Sequence, residues 1–382
     1  MLSSFRNLIA FLLAFSGVVL AQAPAPIPVR AALDFETIPR PPVPADVLEL
    51  AAGAAQPVQD IQQRIAAITL LNKARDLSNV RAQPYHLKTF FSSSGGLASD
   101  GTWTLEDIAA GRAYRWTAQG PNYSAINLYP ESTQGVLYGS QPSGIIPLRV
   151  MQVREAIFFI YPTVGPQTSV RTATGFLNGV EQRCVLVAIG AGNRSLTDGR
   201  NWEESEYCVD ATSGLLTTFS PAPGLYVHYD YSSPLRFHNK IIPTGFTISE
   251  AGQTVVEART ISVTDPPDSK DAMFNPAGLT ALGVGRAMNP GSNLRVRMRA
   301  PGRPYPTSNA DAVIQVVVLH GNVAGDGRLS EAEILASSDA TLNQAALDRA
   351  KELAQARAQG QPGATAQSWE LILTFEFVTQ GR

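Results

Sequence analysis

The chain contains two cysteines, Cys184 and Cys208, whose simplest chemistry is oxidation to a disulfide. Thiols oxidise in exported proteins, and each cysteine lies in a run of β-forming residues. A Gly/Asn/Asp-rich segment, Gly190 to Asn201, separates the two runs. We therefore predict a disulfide between two hairpin strands, stabilising by about 3 kcal/mol on the chain-entropy estimate. A redox pair is the alternative, but the C-x-x-C spacing that lowers a thiol pKa is missing.

Histidines and carboxylates are the other groups that could do chemistry. They are His86, His228, His238 and His320, the cluster Glu203, Glu204 and Glu206, and the loop acids Asp265, Asp268 and Asp271. The histidines lack metal-ligand spacing, and the carboxylates are typical of a polar loop and an exposed strand face rather than of an acid/base pair or a calcium site. The sequence contains no nucleophile elbow or phosphate loop. We predict no catalytic, cofactor-binding or metal-binding residues, and therefore a non-enzyme without cofactors.

The first residues have the pattern of a secretory signal peptide. Arg6 precedes the apolar run Leu8 to Leu20, and short side chains at Val19 and Ala21 suit a cleavage site. The run is shorter than the ~20 residues that a membrane-spanning helix needs. We predict a signal peptide over residues 1–21, cleaved after Ala21, and a periplasmic or secreted protein. A retained anchor is the alternative.

Composition limits the fold and the partners. The mature chain exceeds the ~250–300 residues at which one hydrophobic core stops growing, so we expect two domains. Charged residues make up 16% of the chain and the net charge is −2, so no basic stripe is available for nucleic acid. Abundant β-branched and aromatic residues, with few long periodic segments, favour an α+β fold rich in antiparallel sheet.

The residue pattern along the chain divides it into a spacer, a helix, an antiparallel meander and a linker. Residues 22–57 form an Ala/Pro-rich spacer, and apolar residues at three- and four-residue spacing predict a helix from Val58 to Leu77. Short β-forming runs divided by turn signals then predict an antiparallel meander within a domain spanning residues 58–278. Residues 279–304 are dense in Gly, Pro, Asn and Arg and are predicted to be a linker.

Two short sequence motifs within the predicted meander resemble those of LolA-like lipoprotein carriers. They are Tyr207 to Leu216 (YCVDATSGLL) and Lys240 to Thr244 (KIIPT), and with the single N-terminal helix the resemblance covers about residues 60–278. It implies a curved antiparallel sheet, a half-barrel, that wraps a helix and leaves an apolar cleft for a lipid or acyl chain. A sheet whose aromatic side chains fill its own core is the alternative.

The last segment, residues 305–382, predicts a small ββαβ domain. Strands from Ala312 to Val323 and from Arg328 to Leu335 flank an Asp-Gly turn, a helix spans Thr341 to Arg357, and the chain ends in an alternating strand from Trp369 to Val378.

Several short sequence motifs in this segment, taken in chain order, resemble those of the TonB C-terminal domain. They are Asp326-Gly327, Ser337-Ser338, Leu342 to Leu347 (LNQAAL), Gly360 to Pro362 (GQP) and Phe375 to Phe377 (FEF). The aromatic-x-Pro phrase expected after the helix is replaced by Ala354 to Arg357 (AQAR). The resemblance implies binding of an envelope protein, such as an outer-membrane receptor, by strand addition at a sheet edge. The candidate edge residues are Trp369, Leu371, Leu373, Phe375 and Phe377.

These features predict a non-catalytic envelope protein that binds a protein partner through its C-terminal domain. One alternative is a periplasmic carrier that holds a lipid or lipoprotein acyl chain in the N-terminal cleft. A second alternative is a genuine TonB-type energy transducer, which requires residues 1–21 to be kept as an anchor.

Overall fold

The computed structural model describes residues 29–30, 55–95, 100–121, 123–129, 136–139, 146–158, 168–189, 204–222, 224–250, 252–282, 285–287, 293–302, 312–324, 326–337, 339–359 and 369–380. Over these residues the chain is α+β and mostly β-sheet. The predicted signal peptide, cleavage site and most of the spacer lie outside them. None of the helices in the described part is long and apolar enough to cross a membrane.

The elements follow in chain order. The helices are α1 (Ile61–Ser78), α2 (Leu148–Ile157) and α3 (Asn343–Gln359). The strands are β1 (Val29–Arg30), β2 (Gln56–Pro57), β3 (Tyr85–Ser93), β4 (Gly101–Ala110), β5 (Ala113–Gly120), β6 (Tyr123–Tyr129), β7 (Val136–Gly139), β8 (Thr168–Leu177), β9 (Val180–Ile189), β10 (Ser205–Asp210), β11 (Leu216–Ala222), β12 (Leu225–Asp230), β13 (Leu235–Phe237), β14 (Lys240–Ile242), β15 (Gly245–Glu250), β16 (Gln253–Thr264), β17 (Arg286–Ala287), β18 (Asn293–Arg299), β19 (Ala312–Val323), β20 (Leu329–Ser337) and β21 (Trp369–Gln380).

Helix α1 begins three residues later than the sequence predicts. Asp60 caps it by accepting a hydrogen bond from the Gln63 backbone N–H at 2.9 Å. Pro57 and Val58 are instead extended, because Gln56–Pro57 pairs with β8 and the Val58 N–H donates to the Val170 carbonyl at 2.9 Å. Pairing at the sheet edge therefore takes precedence over the helical periodicity of these residues.

The larger sheet has fourteen strands in the order β17-β7-β6-β5-β4-β3-β16-β15-β12-β11-β10-β9-β8-β2, and each neighbouring pair is antiparallel. Its two ends do not pair with each other, so the sheet is open. Sequence-distant strands meet where β3 pairs with β16, with His86 opposite Thr264. Helices α1 and α2 pack on one face through small and branched side chains, since Ala67, Leu71, Val150 and Val153 share its main hydrophobic core.

Strand β8 has no counterpart in the sequence prediction. It forms a hairpin with β9 through Asn178 (φ 52°) and Gly179 (φ 79°), both in the left-handed region that a type I′ turn requires. The Asn-Gly pair was the available signal, but the polar residues of β8 (TSVRTATGFL) obscure its alternation.

The smaller sheet has five strands in the order β1-β20-β19-β21-β18. Helix α3 packs on one face, where Ala346, Leu347 and Ala350 share a core with β19, β20 and β21. Strand β18 falls inside the predicted linker, yet it pairs in parallel with β21 along its whole length. With β18 and β1, the sheet therefore has two strands more than the predicted ββαβ arrangement.

The predicted edge strand is interior. Strand β21 pairs with β19 on one side and with β18 on the other, so its main-chain groups are used on both sides. Leu371, Leu373, Phe375 and Phe377 are at most 2% exposed and fill the core against α3. The edge position was implied by the TonB-like resemblance, and the pairing of β21 on both sides contradicts it. Trp369 begins the strand, opposite Val323.

Candidate functional site

An apolar cleft opens between the ends of both N-terminal helices and the large sheet. Its empty volume is about 410 Å³, including the part open to solvent. The lining residues come from α1, α2 and six neighbouring strands or turns: Ser78, Val80, Leu87, Ala156, Ile157, Tyr229, Tyr231, Ile242, Pro243, Phe246 and Thr260.

The cleft is lined by two tyrosine side chains. Tyr229 lies near the end of β12 and Tyr231 directly follows that strand, and both line the cleft on the face that carries the helices. The Tyr229 hydroxyl donates to the Ala156 carbonyl at 2.8 Å, near the C-terminal end of α2. This bond uses a carbonyl that the helix itself leaves unpaired, and it fixes that end of α2 as a wall of the cleft.

The polar groups of the cleft are few and uncharged. Among the lining residues none is acidic or basic, and the hydroxyls belong to Ser78, Tyr229, Tyr231 and Thr260. The Ser78 hydroxyl donates to the Ala74 carbonyl at 2.9 Å. Burial raises the pKa of Tyr231 well above its usual range, and the nearby Ser78 hydroxyl lowers it only in part. The lining of the cleft is therefore uncharged and mainly apolar.

A buried ionic network joins α2 to both sheets. Arg149 Nη1 donates to Glu250 Oε1 at 2.7 Å and to Gln152 Oε1 at 2.9 Å, and Gln152 Nε2 donates to the same Glu250 oxygen at 2.9 Å. His320 Nδ1, on β19, lies 3.4 Å from Glu250 Oε2. Arg149, Glu250 and His320 are at most 4% exposed. Burial alone would raise the pKa of Glu250, but Arg149 and His320 hold it well below its usual range.

A second buried network lies beneath β4 and β5. Arg154 Nη2 contacts Asp107 Oδ1 at 3.2 Å and also reaches the Tyr114 hydroxyl, which donates to Asp107 Oδ1 at 2.5 Å. The Arg154 guanidinium lies 4.5 Å from the centre of the Trp116 ring. Burial, together with the Asp107 charge, raises the pKa of Tyr114. These contacts satisfy a buried charge, which is a structural role.

The predicted disulfide is present. Cys184 and Cys208 lie opposite each other on β9 and β10 and are bonded, with both side chains buried. Their sulfurs lie close to a Glu206 carboxylate oxygen, a grouping of metal-ligand types. A disulfide sulfur is not a thiolate, and thiolate is the form of cysteine that binds metals.

The remaining candidate carboxylates and histidines are held by local contacts. Glu204 makes a two-point contact with Arg171, at 2.6 and 2.8 Å. Asp268 and Asp271 accept backbone N–H bonds in turns, and the exposed Asp265 contacts His238 at 2.8 Å. His86 contacts Glu106 at 2.6 Å. Glu203 lies outside the described residues.

No protein-family model and no curated protein matches the chain. Among solved structures, a LolA superfamily protein from Nitrosomonas europaea is similar to it, with a TM-score of 0.35 and 10% sequence identity. The likeness covers 56% of this chain and 99% of that one. At this TM-score the likeness carries no argument, and the LolA-like and TonB-like resemblances stay predictions.

Tyr229 and Tyr231 were missed as site residues by sequence reasoning. The available signal is the alternation of Tyr226 and Tyr229, which puts the two tyrosines on opposite faces of one strand, with Tyr231 directly after it. Which face meets the helices depends on the order of the strands, and that order is set by the long-range β3–β16 pairing.

Proposed function

We propose that this protein is a non-catalytic envelope carrier, or binding protein, that holds an apolar chain in the cleft between α1, α2 and the large sheet. The observation that supports the proposal is the cleft itself, because apolar side chains line it and no charged one does. The geometry thus favours the carrier function over strand addition at β21. Export of the chain to the periplasm is part of the proposal.

The test is binding of a neutral fluorescent apolar probe, phenylnaphthylamine, to the full chain. Ile157 lines the cleft, so Ile157→Trp fills it and should lower probe affinity at least tenfold. Ile65 is 51% exposed on α1 and does not line the cleft, so Ile65→Trp is the matched control and should bind as the wild type does. Absence of probe binding to the wild type, or equal binding by both variants, would contradict the carrier proposal.

Strand addition at the smaller sheet is a second candidate, transferred from β21 to β20. Strand β20 pairs with β19 on one side, and on the other, within the part of the chain that the structure describes, it pairs with the two residues of β1, with Val29 opposite Ala332 and Arg30 opposite Glu333. That contact supports the idea that the outer side of β20 accepts an extended segment. An envelope protein would add there by main-chain hydrogen bonds.

Competition with the chain's own segment tests this second candidate. A synthetic peptide of residues 26–33 should bind a variant that lacks residues 22–33 and should bind the intact chain more weakly, since the intact chain already supplies this segment. Equal or no binding by both proteins would contradict an available edge at β20. The transducer alternative additionally requires residues 1–21 to be retained, which the N-terminal sequence of the mature protein decides.

A further inference from the structure

The disulfide lies beside a buried carboxylate and a buried hydroxyl. Glu206 precedes Cys208 by two residues on β10, so the two side chains share a face of the sheet, and Glu206 Oε1 lies 3.6 Å from Cys208 Sγ. Thr218 lies directly opposite Cys208 on β11. All three side chains are fully buried, and the Thr218 hydroxyl makes no hydrogen bond with the part of the chain that the structure describes.

The two sulfurs and the carboxylate have the spacing of ligands around one metal ion. Together with a Glu206 oxygen they lie within 4.8 Å of one another. A zinc ion bonded to two thiolates and a carboxylate at about 2.0–2.3 Å holds its ligand atoms roughly 3.5–4 Å apart. Cys184 and Cys208 face each other directly across β9 and β10, so rotation of the two side chains after the S–S bond opens is enough to reach this spacing.

The surroundings favour a cation once the bond is open. Ala55, Ala173 and Leu186 form a small apolar cluster with both cysteines, so two thiolates and a carboxylate there would be buried charges that require compensation. A thiolate on Cys208 would also supply an acceptor for the Thr218 hydroxyl. Metal ligands are commonly held in place by such hydrogen bonds from neighbouring groups.

We propose that Cys184, Cys208 and Glu206 form a binding site for a zinc-class divalent cation that opens when a dithiol reduces the disulfide. The dithiol gives two electrons and two protons: the S–S bond breaks, two protein thiols form, and the dithiol becomes a disulfide. Zn²⁺ then releases both thiol protons and bonds to the two thiolates and the Glu206 carboxylate, while Thr218 donates to the Cys208 sulfur. In the oxidised protein the sulfurs are bonded to each other and bind no metal.

Titration of the full chain with Co²⁺ and then Zn²⁺, before and after reduction with tris(2-carboxyethyl)phosphine, tests this site. The reduced protein should bind one Co²⁺ with a thiolate-to-cobalt charge-transfer band, and Zn²⁺ should displace it; the oxidised protein should show no band. Glu206→Gln and Thr218→Val should each weaken Zn²⁺ binding about tenfold or more. Glu181→Gln is the matched control, because Glu181 is exposed on β9, and it should bind as the wild type does.

Urea denaturation supplies a second measurement. Zn²⁺ should raise the midpoint of the reduced protein and leave that of the oxidised protein unchanged, because a ligand that binds only the folded reduced form stabilises that form. A disulfide that stays intact in the phosphine, a reduced protein without the charge-transfer band, or wild-type zinc affinity in both variants would each overturn the proposal. If Glu206→Gln does not fold, Thr218→Val alone decides. Each of these failures leaves the carrier proposal standing, since none of the three ligands lines the cleft.

Discussion

Replacing Glu250 by glutamine should strongly destabilise the protein. The change keeps the shape of the side chain and one carbonyl oxygen for Arg149, but it removes the negative charge beside a guanidinium that is fully buried. The new amide group also turns a donor toward Arg149 or His320, where the carboxylate accepted. Breaking a buried ion pair from one side costs about 3–5 kcal/mol, so we expect a loss of that size in the free energy of unfolding.

Urea denaturation at pH 7 measures this loss. Glu352→Gln is the matched control, since Glu352 pairs with Arg349 at 2.6 Å on the exposed face of α3, and such pairs contribute less than about 1 kcal/mol. Arg149→Met combined with Glu250→Leu should be less destabilised than Glu250→Gln, because it leaves no buried charge uncompensated. A loss below about 1 kcal/mol for Glu250→Gln would refute the description of this network as buried and charged.

The same variant predicts a pH dependence. The folded pKa of Glu250 lies below its unfolded value of about 4.3, so its ionised form favours folding. Its contribution is fully present above the unfolded pKa and is lost as the pH falls toward the folded pKa. The stability difference between wild type and Glu250→Gln should therefore be constant near neutral pH and narrow below about pH 4. A difference that widens on acidification would contradict the assigned direction.

Three other changes have expected outcomes. Replacing Cys184 and Cys208 together by alanine removes a link that closes a loop with a sequence separation of 24, and should lower the free energy of unfolding by about 3 kcal/mol in urea; an unchanged midpoint would contradict it. Leu373→Pro should disrupt the smaller sheet rather than block a partner selectively, because proline has no backbone N–H to donate to a neighbouring strand and β21 is paired on both sides. A native circular dichroism spectrum with normal hydrogen-exchange protection of β19 would contradict this prediction. Arg171→Met should release β2, since the Arg171 guanidinium donates to the Ala55 carbonyl at 3.2 Å as well as to Glu204. Limited proteolysis near residue 55 should then be faster in the variant, and equal cleavage of wild type and variant would count against this role.

Local pattern predicted the elements better than their places in the sheets. The spacing of apolar residues indicated α1 and α3, and the cysteine-bearing strands β9 and β10 pair as expected. The alternation of β21 was also visible, but an interior strand and an edge strand with one buried face can share that alternation. The edge position came from the TonB-like resemblance, and the alternation could not correct it. Its position depends on β18, whose Arg- and Asn-containing sequence (NLRVRMR) suits a linker as well as a strand.

Strand topology also explains why no charged network could be predicted. Arg149 and Glu250 are 101 residues apart in sequence, and His320 belongs to the other sheet. Each of the three has an ordinary neighbourhood in the sequence. A buried charge gives no local signal, because its partner is supplied by another element that folding brings to it.

Elements on the two sides of the predicted linker, residues 279–304, contact each other in the structure. Helix α2 contacts β21 of the smaller sheet, and His320 on β19 lies against Glu250 of the larger sheet with both side chains buried. A chain ending near residue 278 would lack His320 and the cover that β21 provides, leaving Arg149 and Glu250 at a new surface. Water would then compete for a network that also positions the helix forming one wall of the cleft, through Ala156 and Ile157. Ligand binding is therefore best measured on the full chain, since failure of a fragment to bind could reflect a displaced α2 rather than an unsuitable cleft.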